Sequence, residues 1–207
     1  MAADPTAADP SPAASPQPRA DAVRNRESVL AAATRVFATS DTEPSMREIA
    51  RQAGVGVATV YRHFPTREAL VDAVYQDQVV RLTAGARELL AGRPPARALR
   101  LWMDLFGEWL ATKHGMTDTL LAMVDTGAIS LAHTRQELLA AIATILEAGA
   151  AAGDIRADVR PEDVSAGVLA MLAVAARSGD PDQARRLLDL LMDGLRPHPG
   201  AADGLSR

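Results

Sequence analysis

Ser45-Met46-Arg47-Glu48-Ile49-Ala50-Arg51-Gln52-Ala53-Gly54-Val55-Gly56-Val57-Ala58-Thr59-Val60-Tyr61-Arg62-His63-Phe64 is the stretch on which the fold turns. Ser45 and Glu48 have the spacing of a capping box, in which the hydroxyl takes a free backbone N–H and the carboxylate reaches back. Met46, Ile49, Ala50 and Ala53 give the following helix one apolar side. Gly54 suits a left-handed helix end, and Gly56 is tolerated where a new helix begins. The second short helix, Val57 to Phe64, stops before Pro65, which disfavours helical geometry in the residue ahead of it. Two short helices joined by a glycine-containing turn make a helix-turn-helix.

Working outward, every segment between the two ends reads as helix. Val29, Ala32, Ala33, Val36 and Phe37 form one apolar stripe, which predicts a helix over about 22–39. Thr66 caps a fourth helix over about 67–91 that Gly92, Pro94 and Pro95 end. Longer helices are expected at about 96–113, 117–129, 133–152, 161–177 and 182–195. No convincing alternating strand appears, so the chain is expected to be all-α with about nine helices. The expected organisation is a Pro- and Ala-rich tail (1–21), a three-helix head (22–70), a helical bundle (71–196) and a second tail (197–207). Neither tail has an apolar period with which to offset its ordering entropy.

Composition narrows the function. The 207 residues include no cysteine and seven aromatics, with a net charge of −4. That excludes a disulfide scaffold, a thiolate zinc site and a cysteine nucleophile. No apolar run nears the roughly 20 residues that span a bilayer, and the N-terminus lacks the pattern of a secretory signal; the expected location is the cytoplasm. The acidic total hides an uneven distribution. Residues 21–67 carry seven Arg against five acids, and the remainder is acidic. A basic module joined to an acidic body fits nucleic-acid binding by the module alone.

Arranged as a helix, the second short segment turns Val57, Ala58, Thr59, Tyr61, Arg62 and His63 outward. Arg62 can donate to guanine or phosphate, Thr59, Tyr61 and His63 to phosphate oxygens, and Val57 and Ala58 can touch thymine methyls. Arg24 and Arg26 are further phosphate candidates. The segment 45–50, Gly54-Val55, 59–64 and Arg67-Glu68-Ala69-Leu70, with Ala32, Ala33 and Phe37 ahead of it, resembles the TetR family of transcriptional regulators. The likeness covers about 25–75; beyond it only an all-helical body of suitable length agrees. The resemblance implies a homodimer on a palindromic DNA operator, most simply a repressor released by a small molecule. It also implies DNA contacts at Arg47 and Arg67 besides the recognition helix. Gly56 departs from the Ser often found there, and Val57-Ala58 offer no hydrogen bonds to bases.

In the body, Trp102, Phe106 and Trp109 share one helical face, with Met103, Met116, Met123 and Met171 on neighbouring segments. Such side chains line adaptable apolar cavities. The expected ligand contacts are Trp102, Met103, Phe106, Trp109, Met123 and Met171, with His114, Asp104, Asp118, Asp125 and His133 as polar candidates; the competing reading is ordinary core. Val164, Val168, Leu172 and Ala175, then Leu187, Leu188, Leu191 and Leu195, form stripes more apolar than one solvent-facing helix needs. They are expected to pair across a two-fold axis. The other reading of the whole chain is a helical small-molecule-binding or protein-interaction module with a vestigial helix-turn-helix. An enzyme is disfavoured, for no P-loop, dinucleotide fingerprint, G-x-S-x-G or metal motif is present. No cofactor is expected.

Overall fold

A computed structural model describes residues 17–40 and 42–197. Among them it contains nine helices and no strand: α1 (Gln17–Thr39), α2 (Met46–Ala53), α3 (Val57–His63), α4 (Arg67–Gly92), α5 (Pro95–His114), α6 (Thr117–Asp125), α7 (Leu131–Ala152), α8 (Pro161–Ala175) and α9 (Gln183–Gly194). The expected tails outside 17–197 lie beyond the described residues. Gln17 to Asp21, expected in the first tail, is instead the first turn of α1.

The local signals set the boundaries. Ser45 Oγ accepts from Glu48 N at 3.2 Å. Glu48 does not reach back as the capping box predicts, because its carboxylate is held by Arg51 and Gln52. Gly54 closes α2 at φ 69°, a conformation that disfavours a side chain. Thr66 and Ser130 cap α4 and α7 through their hydroxyls. The expected sixth helix ran to 129, but it ends at Asp125, where Gly127 turns at φ 75°.

The head forms where Val29, Ala33 and Phe37 of α1 meet Ile49 and Ala50 of α2, Val60 of α3 and Phe64 just past its end, all buried. Its core runs without a break into Leu70, Val71 and Val74 of α4, so α4 belongs to both parts. In the body α4 packs mainly on α7 and α5, and α8 and α9 pack on each other. Gly115, between α5 and α6, lies against the end of α1. A Cβ there would fall 1.9 Å from Phe37 O, so only glycine allows this approach.

The stripes expected to meet a second subunit belong largely to the protomer's own core. Val164, Val168, Ala175, Leu188 and Leu195 are buried, and Leu172, Leu187 and Leu191 are half-buried. α8 is apolar all round, so its sequence offers two stripes, and the one at 164, 168 and 172 turns inward. The other leaves Ala166, Leu169, Ala170, Ala173 and Val174 outside. Leu169 and Val174 are 46% and 57% exposed, and Leu190 on α9 is 64% exposed.

Candidate nucleic-acid interface

The recognition surface is built by the short α3 leaning on α2. Val60 and Phe64 anchor α3 in the head core, which fixes the opposite side outward. There Ala58, Tyr61 and Arg62 are exposed, Tyr61 by 46%, and Thr59 is half-buried. Arg47, on α2, is also exposed. Among the described residues neither Arg47 nor Arg62 has a carboxylate within ion-pairing distance. The other nearby cations are engaged. Arg51 pairs with Glu48, Arg24 pairs with Asp21, and Arg26 lies over the Phe64 ring at 5.3 Å.

Three expected contacts sit differently. Val57 is half-buried and packs on the core. His63 turns inward, with Nε2 buried and unpartnered, and its ring tilts against Phe64. Arg67, expected at a phosphate, is instead held within the chain. Its Nε lies 2.9 Å from Glu43 Oε2 and 3.1 Å from Thr119 Oγ1, and its Nη1 donates to Pro44 O at 2.6 Å.

That junction ties head to body. Glu43 Oε1 accepts from Thr119 N at 2.8 Å, and Thr119 Oγ1 donates to Glu43 Oε2 at 2.9 Å. The residue before α6, Met116, makes no side-chain cap. A carboxylate from the head thus caps a body helix, where the helix dipole favours an anion. Burial opposes the charge on Glu43, but the Thr119 hydrogen bonds and Arg67 outweigh it and hold its pKa below the ordinary value. Sequence reading missed Glu43 and Thr119, because partners 76 positions apart leave no local pattern.

The aromatic stripe packs as core. Trp102 and Phe106 centroids are 5.6 Å apart, and Phe106 and Trp109 are 5.2 Å apart. Trp102 Nε1 donates to Leu82 O at 2.8 Å, and Tyr75 OH meets Thr134 Oγ1 at 2.9 Å. Met103, Met116 and Met123 are buried with them, and Met171 is half-exposed on α8. A cavity lies elsewhere. It is a groove of about 700 Å³ between the end of α1 (Ala38, Thr39, Ser40), α5, the start of α6, and α8 with the start of α9. None of the six expected ligand contacts lines it; of the polar candidates, only His114 does. Asp104 pairs with Arg100 and His133 lies 3.7 Å from Glu137; Asp118 and Asp125 are on α6, outside the groove lining. Among the described residues no group of three or more acids and histidines is placed to hold a metal, and no helix is long and apolar enough to cross a membrane.

Comparison with known proteins agrees with this geometry. Residues 29–74 match the model of bacterial regulatory proteins of the tetR family, and residues 94–197 match the C-terminal domain of SbtR-like transcriptional regulators. A TetR transcriptional regulator from Streptomyces coelicolor is 44% identical, with a TM-score of 0.73 over 83% of this chain and 98% of its own. A TetR regulatory protein from Mycobacterium vanbaalenii is 37% identical, with a TM-score of 0.67 over 86% of this chain and 99% of its own. An ArpA-like γ-butyrolactone receptor, 19% identical, shares the fold with a TM-score of 0.57 over 85% of this chain and 90% of its own. No curated protein matches in sequence. Members of the family are regulators rather than enzymes; they bind operators and small molecules and form dimers. The chain belongs to the TetR family of ligand-responsive, DNA-binding transcriptional regulators.

Proposed function

We propose that this chain is a cytoplasmic homodimeric repressor that reads a palindromic operator with α3 and lets go when a small molecule binds the body. The observation that carries the DNA reading is the outer surface of the helix-turn-helix. Arg47 and Arg62 stand there without carboxylate partners among the described residues, beside exposed Tyr61 and Ala58 and half-buried Thr59. Arg62 reads a base or grips phosphate, and Tyr61 and Thr59 position the helix on the backbone. Val57 contributes only its outer edge, and His63 supports α3 from within.

Dimerisation uses the outer stripe of α8 (Leu169, Ala173, Val174) with Leu190 of α9, an exposed apolar surface that a second copy would cover. Two heads on a two-fold axis then meet half-sites one helical turn apart, about 34–36 Å. Release travels through α6. A shift of α6 withdraws the N-terminus that Glu43 caps, loosens Arg67 and tilts the head. A coupling of about 1–3 kcal/mol suffices for such control.

Selection of binding sites from random duplex oligonucleotides tests this reading. The expected result is an inverted repeat bound by a dimer; enrichment of no sequence by a folded dimer would favour the interaction-module reading instead.

A further inference from the structure

We propose that the groove at the junction of head and body is the effector site, and that it takes an amphipathic carboxylate whose acid group meets Lys113. The proposal rests on the ligand-responsive reading above and names the chemistry of the ligand. Lys113 is the only lysine in the chain, whose other 21 basic residues are arginine. It lines the groove, half-buried, with Nζ 5.3 Å from the Trp109 ring centroid. Among the described residues no carboxylate lies within ion-pairing distance of it, although nine arginines of the same chain are paired with acids. Burial lowers its pKa, and the Trp109 ring face is its one charge-stabilising contact among the described residues, with no anion to pair with it. An anion arriving there would supply that partner.

The rest of the groove defines the body of the ligand. Gly107, Leu110 and Ala111 of α5 face Leu172 and Ala176 at the end of α8, a wall of small and aliphatic groups. The acidic group in the lining, Asp180, is already paired with Arg186 and accepts from Asp182 N. His114 and Thr117 flank the cationic end. A volume of about 700 Å³ admits a molecule of drug size.

Position supplies the regulatory consequence. Ala38, Thr39 and Ser40 bring the end of α1 into the groove, and Thr117 opens α6 two residues before Thr119. A ligand seated here touches head and body together. It lies beside the place where Gly115 presses on Phe37 and where Glu43 caps α6.

The test titrates the full chain with decanoate, decan-1-ol and decyltrimethylammonium, reading Kd from Trp emission and calorimetry. Decanoate is expected to bind tightest and to perturb emission in the Trp102→Phe variant, since Trp109 holds the lysine. Lys113→Met should weaken decanoate by about tenfold while leaving decanol unchanged, the scale of a lost charged hydrogen bond. Ala111→Phe, which fills the groove from an exposed position on α5, should weaken both. Helical content and melting temperature confirm that each variant is folded. In protein carrying a ¹³C-dimethyl label on Lys113, the lysine resonance should shift and saturate with the same Kd. Equal affinity for decanoate and decanol, unchanged decanoate binding in Lys113→Met or in Ala111→Phe, or a silent Lys113 resonance would each overturn the site. Decanoate binding at Lys113 that leaves affinity for the selected operator unchanged would overturn its role as the effector site. A chain that selects no operator yet binds decanoate through Lys113 would overturn the regulator reading and leave the site standing.

Discussion

The head and the body are built from the same kind of helix, yet they differ in how their apolar residues are used. In the head each short helix has one apolar side, and that side is its core side: Ile49 and Ala50 on α2, and Val60 on α3 with Phe64 at its end, all pack inward. In the body α8 is apolar on both sides. One stripe closes the protomer at Val164 and Val168, and the other stays exposed at Leu169 and Val174. A helix with polar residues around most of its circumference has one way to pack; a helix without them leaves the choice to its neighbours. Besides the apolar core that α4 carries from one region into the other, a steric and a polar contact unite them: Gly115 on Phe37, and Glu43 with Arg67 and Thr119.

The largest expected effect comes from breaking the steric contact. Gly115→Ala places a methyl 1.9 Å from Phe37 O, and the backbone on either side must shift. A loss of about 3 kcal/mol in chemical unfolding is expected, the upper range for overpacking; a stability within 0.5 kcal/mol of the parent would show that head and body do not meet as described. The polar junction comes next. Glu43→Gln or Arg67→Ala leaves half-buried partners unsatisfied and should cost about 1–2 kcal/mol. Acid should do the same to the parent. The folded pKa of Glu43 is depressed below 4.5, so its contribution is complete above that value and is lost as pH falls through the depressed one. Stability that Glu43→Gln leaves unchanged between pH 3 and 7 would remove the junction from the account.

Surface substitutions sharpen the comparison at low cost in stability. Leu169→Glu and Leu190→Glu should leave the protomer folded and shift the dimer towards monomer in sedimentation, whereas Val168→Ala should lower stability by about 1 kcal/mol or more through its cavity. A dimer untouched by both Glu variants would place the interface elsewhere. Smallest in stability is Tyr61→Ala, expected within about 0.5 kcal/mol of the parent; it should weaken binding to all duplexes alike and leave the salt slope unchanged, since a neutral phenol displaces no counterion.

The head was legible because its signals are local. A hydroxyl cap at Ser45, a left-handed Gly54 and a stop before Pro65 each act within a few residues, and the resemblance to regulators rests on the same positions. Arg67 shows where that reading ends. Its type and position suggested a phosphate contact, but Glu43, two helices earlier, and Thr119, far along the chain, claim the guanidinium. The aromatic stripe at Trp102, Phe106 and Trp109 had the correct period for a buried face, and burial is all that period encodes. The groove arises where α1, α5 and α8 fail to fill the space between them, a property of helix placement that no segment carries alone. Lys113 did leave one trace in composition, as a lone lysine among arginines.

The central claim, that the outer face of α3 enters the DNA groove, is tested most directly by measuring the Arg62→Ala variant against the parent on the selected operator and on every single-base variant of it, by fluorescence anisotropy at several salt concentrations. The account predicts that the parent loses affinity linearly in log–log form, at about −0.9 per phosphate contact, and that the variant loses discrimination at one base position in each half-site. A variant that binds every duplex as the parent does, with the same base profile and the same salt slope, would contradict it.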